Sequence, residues 1–237
     1  MAQQQRRAID PHYHEDPDWR RPSVDLIAAY GRGDSDIHPV IGERFNRAGL
    51  VPVLDIGCGP GTLAKRLAVP CVGIDRAAYQ LSKWPGDKVL GDAATLPFPS
   101  ESFGGAAALY MLYHLDEPRA AVAEVHRVLR TGGLFAVCAP SRYDSPELAG
   151  LLPPEDSTFS SEDIPDVLSG YFNDIDMHPW DMPFYELPHE QAIVDYLHRY
   201  PALSVEEMWR IARRLPTPLT ITKRGAYAFA RKAERPA

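Results

Sequence analysis

The stretch VLDIGCGPGTLAKRL (53–67) decides how this chain is read. Its front half, within VPVLDIG (51–57), is a short apolar run with the character of a buried strand. Its back half, TLAKRLA (62–68), carries a helical pattern. Gly57, Gly59 and Gly61 stand between the two. Glycines at a strand-to-helix turn let the backbone bend tightly and let a ligand touch the main chain. The helix start beyond them presents unpaired N–H groups. Ligands of open α/β sheets bind past the carboxyl ends of the strands, where the strand order reverses.

The glycine spacing discriminates among ligands. A dinucleotide turn reads G-x-G-x-x-G, with a pyrophosphate on the helix N-terminus. Here the run is G-x-G-x-G, and Thr62 holds the place of the third dinucleotide glycine. A Walker loop is excluded because no G-K-[ST] follows. Asp55 lies two residues ahead of Gly57, and a carboxylate beside the turn disfavours a phosphate and favours a cation.

Outward from the turn, strands and helices alternate. CVGID (71–75) reads as a second strand, AAYQLSKW (77–84) as a helix and DKVLGD (87–92) as a third strand. FGGAAALY (103–110) and LFAVCAP (134–140) read as the fourth and fifth. Between them EPRAAVAEVHRVLR (117–130) is an amphipathic helix that Thr131-Gly132-Gly133 stops. This rhythm predicts βαβ units, a parallel sheet and helices on both faces. Upstream, VDLIAAY after Ser23 is a short helix pattern, and a helix over 37–48 is expected, with Ser35 or Asp36 as N-cap and Gly49 as its end. Downstream, YFNDIDMHPW (171–180) reads as a sixth strand and PLTITKRGAYAFARK (218–232) as a last strand interrupted at Gly225. Two helical stretches, QAIVDYLHRY and VEEMWRIARRL, stand between them as an insertion. The expected organisation is a polar N-terminal arm (1–22) and a single domain (23–237). Within that domain we place a core (50–140), a substrate or lid region (141–217) and a final strand (218–232).

Bulk properties narrow the class. The net charge of -7, from 25 basic and 32 acidic residues, argues against nucleic acid as the main partner. Three unpaired cysteines, Cys58, Cys71 and Cys138, fit neither a disulfide framework nor a zinc site, so a reducing, cytoplasmic compartment is expected. No apolar run reaches the ~20 residues of a membrane span, and MAQQQRRAID lacks the apolar core of a signal peptide. His12, Tyr13 and His14 sit in the polar arm, where no scaffold fixes ligands, and no metal is expected.

The strand ends carry two more acids. Asp75, with Arg76 beside it, closes the second strand, where a carboxylate can accept ribose hydroxyls. Asp92, with Ala93 beside it, follows the third strand, where it can accept an adenine amino group, and Leu96, Pro97 and Phe98 offer an apolar wall. The small side chain of Cys58 fits packing behind the ligand better than a nucleophile.

Together D-I-G-C-G-P-G, G-I-D, G-D-A-A-x-L-P-F-P, L-Y-M-L-Y-H-L-D-E-P and E-V-H-R-V-L-R-T-G-G resemble the class I S-adenosylmethionine (SAM)-dependent methyltransferases. Within them they are similar to the type-11, ubiquinone/menaquinone-biosynthesis-like group, over about residues 50–140. The resemblance implies a Rossmann-like, doubly wound αβα fold with a seven-stranded sheet whose last strand is antiparallel. It implies SAM across the carboxyl ends of the first strands. Asp55 and Gly57 would meet its methionine part, Cys58, Gly59 and Gly61 complete the turn, and Asp75 would hold the ribose. Asp92 and Ala93 would hold the adenine, with Tyr110 and Met111 near the sulfonium. FGGAAA departs from the pattern, since relatives carry an acid and larger aliphatics there; this thins the fourth strand's packing.

The expected function is methyl transfer to O, N or C of a small molecule, such as a secondary metabolite or quinone-like acceptor, by a monomer or homodimer. An RNA or protein methyltransferase and a non-catalytic SAM-binding regulator are the alternatives. The amine-methylating N/D-P-P-Y/F signature is absent after the fourth strand, where LYMLYHL stands. Methyl transfer needs a base only for a poorly acidic acceptor. The candidates for it are His114, then Tyr110 or His14.

Overall fold

The apolar runs around the glycine turn become strands β1 (Val53–Ile56), β2 (Cys71–Asp75), β3 (Lys88–Leu90), β4 (Phe103–Leu109) and β5 (Leu129–Pro140). The computed structural model describes residues 21–33, 36–153 and 157–233. With β6 (Asp174–Leu187) and β7 (Leu219–Arg231) these strands form one seven-stranded sheet in the order β3-β2-β1-β4-β5-β7-β6. β1 to β5 pair in parallel, and β7 runs antiparallel between β5 and β6. The Rossmann-like architecture with an antiparallel last strand is therefore present.

Strand alternation sends residues to two helical layers. Leu54, Ile56, Ala106 and Val137 face α4 (Pro118–Val128) and α5 (Ile164–Ser169). Val53, Ala107, Ala136 and Cys138 face α2 (His38–Ala48), preceded by α1 (Arg21–Tyr30). A short α3 (Ala78–Ser82) follows β2. The small residues of β4 do not thin the core. A Cβ on Gly105 would sit 2.7 Å from the Phe45 ring, so α2 fills the space and all seven residues of β4 are buried.

Several expected elements differ. Residues 62–68 give only a 3₁₀ turn, Ala64–Arg66. Asn46 of α2 donates to the Arg66 carbonyl (2.9 Å) and accepts from the Ala68 N–H (2.7 Å), satisfying backbone groups that a helix would have paired. Pro70 then holds Val69 away from helical backbone. Likewise α4 stops at Val128, before the Thr-Gly-Gly signal, because the Lys232 ammonium donates to the His126 and Leu129 carbonyls, both at 2.7 Å. The glycines lie instead in the irregular start of β5, where its register to β4 shifts. The N-cap of α2 is Ile37, while Asp36 accepts the His38 N–H at 3.0 Å. Cys71 is half-buried, whereas Cys58 and Cys138 are buried.

The far end of the sheet is larger than its sequence suggested. β6 starts and ends later than expected and carries Pro179 and Pro183 on its free edge, where a missing N–H is tolerated. β7 runs through Gly225 without interruption. The glycine admits the Trp180 ring, which would lie 2.2 Å from a Cβ there. β5 pairs with β7 only up to Gly225, opposite Pro140, whereas β6 follows β7 to Leu219. A two-stranded arm thus extends past the carboxyl end of β5. The helical insertion, α6 (Glu190–Leu197) and α7 (Val205–Ala212), packs on this arm with α1 as a second core that includes Leu26, Phe184, Tyr196 and Ile211. Polar pins tie it down. Lys223 pairs with Asp144, Glu147 accepts from the Thr222 N–H (3.0 Å) and hydroxyl (2.5 Å), and Tyr196 shares a 2.7 Å bond with Ser145.

Candidate functional site

β1 places Asp55 in register between Gly73 of β2 and Ala107 of β4, with 4% of its surface exposed. Burial, and secondarily the charge of Asp75, pushes its carboxyl up to about 8. Beyond it the chain turns with Gly57, Gly59 and Gly61 at φ of 64°, 50° and 80°, a region closed to most side chains. The turn's own N–H groups are spent inward. Gly57 and Cys58 donate to the Ile74 carbonyl (2.8 and 3.2 Å), Gly61 to the Cys58 carbonyl (3.0 Å), and Gly59 to Asp75 Oδ2 (2.9 Å). The remaining residue of the turn, Pro60, has no N–H.

The two sides of the turn differ. A Cβ on Gly57 would sit 2.8 Å from Met111, so the turn packs directly on the segment after β4. A Cβ on Gly59 would meet nothing within 4 Å, so that side is open. Behind the turn, Cys58 joins Leu81 and Trp84 in a small buried cluster. Burial raises its thiol far above the usual range, which favours the protonated form over the thiolate.

The other expected residues fall on the same carboxyl edge. Asp75 is buried and also accepts the Ala77 N–H at 2.8 Å through Oδ1. Arg76 beside it is exposed. Asp92 is exposed and accepts the Ala94 N–H at 2.8 Å, Ala93 and Leu96 are buried, and Phe98 packs edge-on against Phe103. Tyr110 holds φ at 56°, a strained value for a non-glycine residue, and its N–H donates to the Cys138 carbonyl at 3.0 Å. Burial raises its phenol above the usual range. His114 stands on a 3₁₀ turn, Leu112–His114, exposed and with its ring against Tyr113. His14 lies outside the described residues.

One pair escaped the sequence reading. Asp36, taken there as a cap, holds the His38 imidazole at 2.5 Å (Oδ1 to Nδ1) and meets Arg66 at 3.2 Å. The D-I-H spacing at a helix start was the available signal. Among the described residues no His, Cys, Asp and Glu cluster has metal-binding geometry, and no helix is long and apolar enough to cross a membrane.

These features fit SAM. A turn whose N–H groups are consumed offers a pyrophosphate nothing, whereas a buried carboxyl held near neutrality gains most from a cation beside it. Comparison with known proteins agrees. A family model described as a methyltransferase domain, type 11, matches residues 54–137. An O-methyltransferase of Aspergillus nomiae is 34% identical over 112 residues, covering 41% of this chain and 50% of that protein. The chain spans about half the length of the curated relatives it matches. In solved structures, the [4+2]-cyclase SpnF superposes with a TM-score of 0.59 at 20% identity, covering 92% of this chain and 94% of that one. The N-methyltransferase NodS of Bradyrhizobium japonicum, solved with S-adenosyl-L-homocysteine (SAH), gives 0.55 at 14% identity, covering 94% and 95%. Residues 54–137 thus match a methyltransferase domain of type 11, on a Rossmann-like fold shared with these solved structures.

Proposed function

We propose that the chain moves the methyl group of SAM to an oxygen, nitrogen or carbon atom of a small-molecule acceptor, of secondary-metabolite or quinone-like type. The observation that carries this is the glycine turn with no N–H left for a phosphate, set above Asp55. Asp55 and Gly57 would hold the methionine part, with Cys58 and Gly61 shaping the turn. Asp75, its carboxylate fixed by two backbone donors, would take the ribose hydroxyls, with Arg76 at its side. Asp92 and Ala93 would take the adenine. Met111, packed on Gly57, and Tyr110 would border the methyl group. Residues 141–217 would form the acceptor's side of the cleft, since the arm and its helices stand past the carboxyl end of β5.

The bound cofactor supplies an electrophilic methyl carbon and a neutral thioether leaving group. The protein's share is to align the acceptor and exclude water. Asp55 accepts the ammonium and is thereby driven to its charged form. Titration calorimetry tests the reading, with SAH and SAM expected to bind and NADH not. Binding is expected to release protons near pH 7, because Asp55 ionises. NADH binding in place of SAH removes the proposal. Labelled SAM offered to a panel of phenols, amines and quinols then identifies the acceptor.

A further inference from the structure

α2 begins with a histidine, His38. Its last residues lead through Gly49 to the amino end of β1, and Phe45 packs on Gly105 near the start of β4. Its first turn therefore stands at the carboxyl end of the sheet, where Ile37 and Ile41 share a cluster with Leu109 and Tyr110. Asp36 is close enough there for its charge to raise the Tyr110 phenol.

His38 opens this helix, with its side chain 18% exposed. Its Nδ1 lies 2.5 Å from Asp36 Oδ1, and Asp36 is braced by the His38 N–H (3.0 Å) and by Arg66 (3.2 Å). Among the described residues nothing bonds to Nε2 of His38. A carboxylate that fixes one ring nitrogen as the donor leaves the other as a lone pair of set direction, and it stabilises the imidazolium formed when that lone pair takes a proton. A cap alone explains the bond to the His38 N–H. It does not explain the bond to the ring.

We propose that His38 is the base that deprotonates a weakly acidic hydroxyl of the acceptor, a phenol or an enol, with Asp36 as its positioning residue. This rests on the methyl-transfer reading above. Nε2 of His38 takes the hydroxyl proton as the acceptor oxygen bonds to the methyl carbon. The carbon–sulfur bond breaks with its electron pair staying on sulfur, and the proton later leaves His38 for water.

The test compares two probe acceptors with labelled SAM. One is 4-methoxyphenol, which is neutral at the assay pH. The other is 4-nitrophenol at a pH where it is already ionised and needs no base. His38→Ala is expected to slow methylation of 4-methoxyphenol by ~100-fold, with partial rescue by added imidazole, and to leave the 4-nitrophenolate rate unchanged. Asp36→Asn is expected to fall between, and His38→Gln serves if the alanine variant does not fold. Independently, histidine NMR should find the neutral-ring proton of His38 on Nδ1 and show Asp36→Asn removing that preference. Equal loss on both phenols, loss on neither, or a ring proton on Nε2 overturns the proposal. Failure of the wild type to methylate any phenol while SAH binds overturns it too and leaves the methyltransferase reading standing. Failure of SAH to bind strikes that reading itself.

Discussion

The two ends of the sheet are built on opposite plans. On the side of the glycine turn the strands are 4, 5 and 3 residues long, and the turn is main chain set beside the buried acids Asp55 and Asp75. On the far side β6 and β7 run for 14 and 13 residues, and side-chain bonds such as Tyr196 to Ser145 and Glu147 to Thr222 pin the arm. One side holds a carboxyl at a cost to the empty protein, and the other holds the frame. The difference teaches where stability and binding separate: a change on the cofactor side should alter affinity, and one on the far side should alter stability alone.

The strongest way to break the comparison is Asp55→Asn. Folding raises the carboxyl's pKa from its ordinary value to about 8, so the folded state binds a proton that the unfolded state does not between roughly pH 4 and pH 8. Stability from this group is thus lost as pH rises through that window, and the neutral amide escapes the loss. The variant should gain on the wild type by a few kcal/mol between pH 5 and pH 8 in denaturant titrations while losing cofactor binding. Gly225→Ala should cost about 3 kcal/mol, because the new methyl meets the Trp180 ring and the Ala139 carbonyl, yet the folded fraction should bind SAH normally by calorimetry. Tyr196→Phe removes a buried hydrogen bond to Ser145 and should cost about 1 kcal/mol in denaturant titrations. Arg32→Ala removes a solvent-exposed pair with Glu186 and should move the melting midpoint by less than about 0.5 kcal/mol equivalent. A large effect of Arg32→Ala on SAH affinity would erase the division between the two ends.

Legibility followed the same division. The glycine spacing, Asp55, Asp75 and Asp92 are local signals, each tied to a strand end by a few residues of pattern, and the fold class came with them. What the sequence hid depends on partners far along the chain. The helix expected over 62–68 is undone by Asn46 and Pro70. The end of α4 is set by Lys232, 106 residues from the His126 carbonyl it meets. Gly225 looked like a break because Trp180, on another strand, was not yet beside it. The pairing of Asp36 with His38 is local, but a cap explained the aspartate so fully that the ring next to it went unread.

The prolines of β6 have a consequence for how copies of this protein meet. Pro179 and Pro183 leave gaps in the row of donors that an incoming strand would need. At the opposite border β3 offers only three residues, Lys88–Leu90. Neither border gives a neighbouring molecule a ladder to climb, so the sheet has a fixed width, and fibre-like growth by strand addition is blocked at both ends.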